Sequence, residues 1–157
     1  MIDYLEADEE PDDFVAMAIG KMKDITNRKK LPVLVGGSTS LTIPLLHESF
    51  KLQYQVIAIT LVPHQATYQA FIQARGDEML DRGLMDELTE LRALEQTFHG
   101  SDTGLGRGIW KAIGYPEFRP YLEADAKAVG REQLFRNRLG SMYAHTFQYG
   151  LYQLKRI

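Results

Sequence analysis

Three segments of this chain carry residue types that could bind a phosphorylated ligand. The first is GGSTS at residues 36–40, where glycines let the backbone approach a ligand closely and hydroxyl side chains can donate hydrogen bonds. Free N–H groups at the start of a helix favour an anion, so Gly36, Gly37 and Ser38 are candidate ligand contacts. A plain strand–turn–helix junction with hydroxyl caps explains the same residues equally well.

The second segment, ARGDEMLDRGLMDEL at residues 74–88, sets charged side chains beside an apolar helical seam. Arg75 could bind a phosphate, because a guanidinium suits bidentate recognition of an oxyanion, and Asp77 could orient Arg75. The competing interpretation, favoured by the spacing alone, is a solvated helical face with local ion pairs.

The third segment, GIWKAIGYPEF at residues 108–118, packs aromatic side chains between two polar stretches. It contains Trp110 and Tyr115, with Gly114 at a turn. The four histidines lie far apart in the sequence and form no metal-ligand spacing.

The elements that must position these segments are predicted to form a single α/β domain over residues 1–157. A helix is predicted from about Phe14 with Asp12 and Asp13 as caps. Further helices are predicted to start after GGSTS, to span about 64–98 with a break near Gly83, and to run from about Arg131 to the C-terminus. The runs LPVLVGG and YQVIAITLV are predicted strands of a parallel sheet flanked by helices. Two strands are too few for such a sheet, which suggests that other strands come from elsewhere.

Composition limits the classes of function. The chain has 157 residues, no cysteine and a net charge of −3, so thiolate metal sites are excluded and strong attraction to nucleic acid is disfavoured. No apolar run is long enough for a membrane span, and the acidic N-terminus does not resemble a targeting peptide. We therefore expect a cytoplasmic protein.

Together, four segments resemble the isopentenyltransferase family, which prenylates the exocyclic amine of adenine. They are the opening residues 2–25, LPVLVGGSTSL, RGDEMLDRGLMDEL and GIWKAIGYPEF, which cover most of the chain in order. The resemblance implies a partial P-loop-NTPase-like sheet with a helix-rich C-terminal half. It implies ligand contacts at Gly36, Gly37, Ser38, Arg75 and Asp77, and a structural buttress of Trp110, Gly114 and Tyr115 beside the catalytic channel.

The resemblance also implies substrates. The short link between the two predicted strands is similar to adenylate-type enzymes of cytokinin biosynthesis, which transfer a dimethylallyl group from dimethylallyl diphosphate to AMP, ADP or ATP. Enzymes that modify tRNA are the alternative, and the acidic composition disfavours them. Mg²⁺ is implied by the resemblance only.

Several family features have no counterpart in residues 1–157. These are the P-loop that holds the diphosphate and the aspartate that accepts a proton from the adenine amine. Phe71, Phe147, Leu151 and Tyr152 occupy positions that are cationic in the family. We therefore expect an isolated chain to be inactive, either because it needs a P-loop-bearing partner or because it is a non-catalytic binding or assembly module, with self-association as a further possibility.

Overall fold

In the computed structural model, residues 5–9, 13–99, 106, 108–125, 127 and 129–156 are described, and these form helices joined by extended segments. The α-helices are α1 (Phe14–Asn27), α2 (Thr39–Lys51), α3 (Gln65–Asp81), α4 (Leu84–His99), α5 (Tyr115–Glu123) and α6 (Arg131–Leu154), and a 3₁₀ turn spans Gly108–Lys111. The helices predicted near Phe14, after GGSTS, on both sides of Gly83 and from Arg131 are confirmed, while α5 was not predicted.

The chain divides into two compact units. The described part of the first unit comprises residues 13–62 and 151–156. Here the Asp13 carboxylate accepts a hydrogen bond from the Ala16 N–H (3.1 Å) and caps α1 as expected, whereas Asp12 lies outside the described residues. Ala18 and Ile19 of α1 pack against Leu45 of α2 to form a small apolar core.

The second unit, described over residues 5–9 and most of 63–150, contains the larger core. Its buried residues come from α4, the 3₁₀ turn, α5 and α6, and they are Leu84, Leu88, Trp110, Tyr115, Phe118 and Met142. The apolar seam that the sequence places on α4 therefore faces the aromatic 108–118 segment. This contact packs both segments into one core.

The predicted parallel sheet is wrong. Within the described ranges no residue is in a strand, and residues 30–38 and 54–64 belong to no regular secondary structure. Their apolar side chains face solvent: Val35 and Ile57 are each 90% exposed. A strand forms its backbone hydrogen bonds with a neighbouring strand rather than within itself, so an apolar run cannot become part of a sheet unless another strand lies beside it. None of the described helices is long and apolar enough to cross a membrane.

Candidate functional site

The glycine loop leads into the N-terminus of α2 in the first unit. Gly36 and Gly37 are exposed, and Ser38 is the residue before α2. The Ser38 hydroxyl lies 2.9 Å from the Ser40 hydroxyl, and the Ser38 carbonyl accepts from the Thr42 hydroxyl (2.9 Å). The Thr39 N–H donates to Gln153 Oε1 at 2.7 Å, and both residues are buried. A ligand at this loop could therefore use the Ser38 hydroxyl and the glycine backbone, while Gln153 already occupies one helix N–H.

Arg75 and Asp77 lie on α3 in the second unit, and each has a different partner. Arg75 Nη1 pairs with Glu78 Oε2 at 3.0 Å, and Glu78 also pairs with Arg82 at 2.7 Å. Asp77 Oδ1 accepts a hydrogen bond from the Tyr143 hydroxyl of α6 at 2.7 Å. Asp77 thus holds Tyr143, whereas the expected orientation of Arg75 is supplied by Glu78. The roles of Arg75 and Asp77 toward a ligand stay predictions.

The contact between Tyr143 and Asp77 changes the chemistry of the phenol. Burial raises the pKa of Tyr143 to about 12, and the hydrogen bond and negative charge of Asp77 act in the same direction. Tyr143 therefore stays protonated near neutral pH and serves as a hydrogen-bond donor.

A cleft of about 280 Å³ lies beside this pair, entirely within the second unit. Its lining is mainly apolar and includes Phe71 and Ile72 of α3, Ile113 after the 3₁₀ turn, and Met142 of α6. Among the described residues of this lining, Arg75 is the one that carries a guanidinium. The cleft can hold a small ligand with an apolar or aromatic part and an anionic group.

α3 and α6 approach closely at one side of this cleft. Gly76 is buried, and a Cβ placed there would lie 2.2 Å from Cε1 of Tyr143. Only a residue without a side chain fits against the Tyr143 ring. Gly76 therefore allows the two helices to place Tyr143 over Asp77.

The 108–118 segment is interior. Trp110 is fully buried, and its Nε1–H donates to the Leu91 carbonyl at 3.2 Å. Gly114 has φ of +118°, a conformation that favours glycine, and its N–H donates to Glu117 Oε2 at 2.6 Å at the start of α5. Trp110, Gly114 and Tyr115 thus fill and turn the core of the second unit. Their position beside a catalytic channel stays a prediction.

A buried charge cluster at Glu95 was missed by the sequence analysis. Glu95 is 1% exposed, and its Oε2 accepts from the Tyr115 hydroxyl (2.6 Å), from Arg119 Nε (3.2 Å) and from Arg92. Burial alone would raise the pKa of Glu95, but the hydrogen bonds from Tyr115 and Arg92 and the positive charges of Arg119 and Arg92 hold it below its usual value. Burial, followed by the hydrogen bond and charge of Glu95, raises the pKa of Tyr115 to about 12.

The cluster tethers α4 to α5. Arg92 and Arg119 also pair with Glu123 at 2.9 and 3.4 Å. In the sequence these residues look like ordinary charges on two helices, so no local signal marks them. Their role in the structure is to fix the element that carries Tyr115.

A second missed contact joins Glu117 to α6. The Glu117 carboxylate is buried, and its Oε1 lies 2.5 Å from Nδ1 of His145, whose side chain is about half exposed. Glu117 therefore holds both the start of α5 and one face of α6. Glu117 and His145 are 28 residues apart in the sequence, so no local motif indicates that they pair.

Magnesium is implied by the resemblance only, and its binding stays a prediction. Among the described residues, no three His, Asp or Glu side chains are grouped so that they could hold a metal ion.

Comparisons with known proteins agree with the resemblance. The model of the IPP transferase family matches residues 40–156. A bifunctional cytokinin biosynthesis protein of Fusarium pseudograminearum is 46% identical over 155 residues, which is 99% of this chain and 32% of that protein. An adenylate isopentenyltransferase of Humulus lupulus is 34% identical over 131 residues, which is 72% of this chain and 40% of the relative.

A tRNA dimethylallyltransferase of Schizosaccharomyces pombe is also similar, with 32% identity over 105 residues, or 67% of this chain and 23% of that enzyme. The chain spans between about a quarter and two fifths of the length of these three relatives. The family match covers well over half of the chain and includes α3, the cleft and the 108–118 segment. On these grounds the chain belongs to the IPP transferase family.

Proposed function

We propose that this chain acts in cytokinin-type isopentenyl transfer, in which a dimethylallyl group passes from dimethylallyl diphosphate to the exocyclic amine of adenine in AMP, ADP or ATP. The observation that carries the proposal is the similarity over 155 residues to a protein named for cytokinin biosynthesis. The relative from Humulus lupulus, named as an adenylate isopentenyltransferase, supports the choice of a free nucleotide as acceptor.

Prenyl transfer requires stabilisation of the leaving diphosphate. The amine nitrogen forms a bond to the first carbon of the dimethylallyl group, the carbon–oxygen bond to the diphosphate breaks, and the amine loses a proton. Negative charge grows on the diphosphate, and the removal of one preorganised donor to such a group costs about 3 kcal/mol. In this chain the Ser38 hydroxyl, with Gly36 and Gly37 shaping its loop, is one predicted contact of a phosphorylated ligand, and Arg75 is another.

We propose further that turnover depends on a P-loop-bearing segment, supplied either on the same polypeptide or by a partner chain. The P-loop and the proton-accepting aspartate that the resemblance assigns to the reaction have no counterpart in residues 1–157. The described residues then supply the acceptor side and the packed core around Trp110 and Tyr115.

Prenyl transfer measured by mass spectrometry tests both statements. The purified chain is incubated with Mg²⁺, dimethylallyl diphosphate and AMP, alone and together with a separately expressed P-loop-bearing part of the Fusarium relative. We expect prenylated AMP only in the combined reaction. Product from residues 1–157 alone would overturn the need for that segment, and a combined reaction of folded proteins without product would overturn the transferase proposal.

A second candidate is a non-catalytic binding module. Its support is Phe147, which replaces a cation of the family and whose ring centroid lies 5.6 Å from that of Tyr68 on α3. This side chain packs where the family pattern would place a phosphate contact. If Phe147→Arg, together with Leu151→Lys and Tyr152→Arg, produces turnover in a combined reaction that was silent before, the native chain is this module.

A third candidate is tRNA modification, which the relative from Schizosaccharomyces pombe supports by its name. The same combined reaction with a tRNA acceptor in place of AMP distinguishes it. Prenylated tRNA without prenylated AMP would favour this acceptor, whereas the net charge of −3 leads us to expect the reverse.

A further inference from the structure

Phe71 is an exposed aromatic side chain at the mouth of the cleft in the second unit. It is 63% exposed although it lines the cleft, so its ring is available to a ligand. The neighbouring wall residues Ile72 and Met142 are apolar and well buried. An exposed ring above an apolar wall is a suitable platform for a flat, aromatic ligand.

Arg75 lies one helical turn after Phe71 on α3, and residues four apart share a helix face. Its side chain is 61% exposed, and its ion pair with Glu78 is exposed as well. Glu78 also pairs with Arg82 at 2.7 Å. If Arg75 moves away to bind a ligand, the Glu78 carboxylate therefore still has a cationic partner. Arg75 is therefore available to an anionic group of the ligand at small cost.

We propose that this cleft binds the acceptor purine nucleotide, with the base stacked on Phe71 and a phosphate bound by Arg75. The inference rests on the proposed function and adds a base-stacking residue to it. A base on an aromatic side chain and a phosphate on a guanidinium are the two halves of nucleotide recognition, and here they are one turn apart.

The dimethylallyl group fits the same observations less well. A small branched hydrocarbon gains most from an enclosed pocket that removes it from water. The mouth of this cleft is open, since both Phe71 and Arg75 face solvent. A planar base can stack on one exposed ring, so the geometry favours the nucleotide.

Binding of AMP, adenosine and inorganic phosphate to the purified chain, measured by titration calorimetry without any prenyl donor, tests the proposal. We expect Phe71→Leu to weaken both AMP and adenosine about tenfold or more, because loss of stacking on an aromatic ring has an effect of that order. Phe71→Trp should retain both ligands. Arg75→Gln should weaken AMP and inorganic phosphate but leave adenosine unchanged.

The matched control is Phe50→Leu, which changes another half-exposed phenylalanine on α2 of the first unit and should leave all affinities unchanged. The proposal is overturned if wild-type chain does not bind AMP, or if Phe71→Leu binds AMP as wild type does. Binding of dimethylallyl diphosphate that Phe71→Leu weakens, with AMP binding intact, would assign the cleft to the donor and also overturn it. The proposed function is tested by a different measurement: it fails if the combined reaction gives no prenyl transfer.

Discussion

At the scale of single residues, the sequence identifies candidate side chains but not their partners. Arg75 and Asp77 were predicted to act together, yet Arg75 pairs with Glu78 and Asp77 accepts from Tyr143. The Tyr143 contact bridges 66 positions in the sequence, and helical spacing carries no information about such a pair. The same reasoning explains why the cluster around Glu95 was not foreseen.

Glu95→Gln should destabilise the chain by about 2–4 kcal/mol, because it removes a buried charge that is paired with Arg92 and Arg119. Urea unfolding at pH 7, followed by circular dichroism, measures the difference. Glu90→Gln is the control, since Glu90 is an exposed carboxylate on the same helix, and it should change stability by no more than about 0.5 kcal/mol. Equal effects of the two substitutions would contradict the assigned role of Glu95.

The pH dependence of this effect follows from the lowered pKa of Glu95. A carboxyl group whose pKa is lower in the folded chain contributes its full stabilisation above its ordinary pKa, which is 4.5 here, and loses it as the pH falls through the folded value. The stability gap between wild type and Glu95→Gln should therefore be widest above about pH 5 and should narrow toward pH 3. Urea midpoints across this range measure the gap, and a gap that widens on acidification would refute the sign.

At the scale of elements, the sequence predicts helices well and strands badly. α1, α3, α4 and α6 follow from apolar spacing, capping residues and the break at Gly83, all of which act within a segment. A strand at residues 30–38 or 54–64 would need hydrogen bonds to a neighbouring strand. The apolar pattern of the segment itself does not show whether that neighbour is present. The sequence pattern does not predict the short helix α5, because Gly114, which precedes its first residue, is typical of a turn.

The close approach of α3 and α6 gives a prediction at this scale. Gly76→Ala should destabilise the chain by about 1–3 kcal/mol, since the new methyl group would overlap the Tyr143 ring. Gly140→Ala is the matched control on α6, where nothing lies within 4 Å of an added Cβ, and it should stabilise by up to about 1 kcal/mol through helix propensity. Thermal or urea unfolding distinguishes the two, and a neutral or stabilising Gly76→Ala would show that the helices separate freely.

At the scale of the whole molecule, the exposed apolar segments are the least ordinary feature. Ile57, Ile59 and Leu61 are each more than 80% exposed in one extended run, and Leu31 and Val35 repeat the pattern in another. Exposed apolar residues close together in the sequence favour association with other chains. Such association would remove these side chains from water. Packing within the described units leaves them exposed.

We therefore expect the purified chain to associate increasingly with concentration, as measured by light scattering. Ile57→Lys together with Leu61→Lys should keep it monomeric, because two charges in the apolar run oppose edge-to-edge contact. Gln65→Lys together with Gln69→Lys makes the same change in net charge on exposed positions of α3 and should associate as wild type does. A wild-type mass that stays monomeric at every concentration would show that the exposed segments do not drive association, whereas equal behaviour of the two double variants would attribute the effect to net charge.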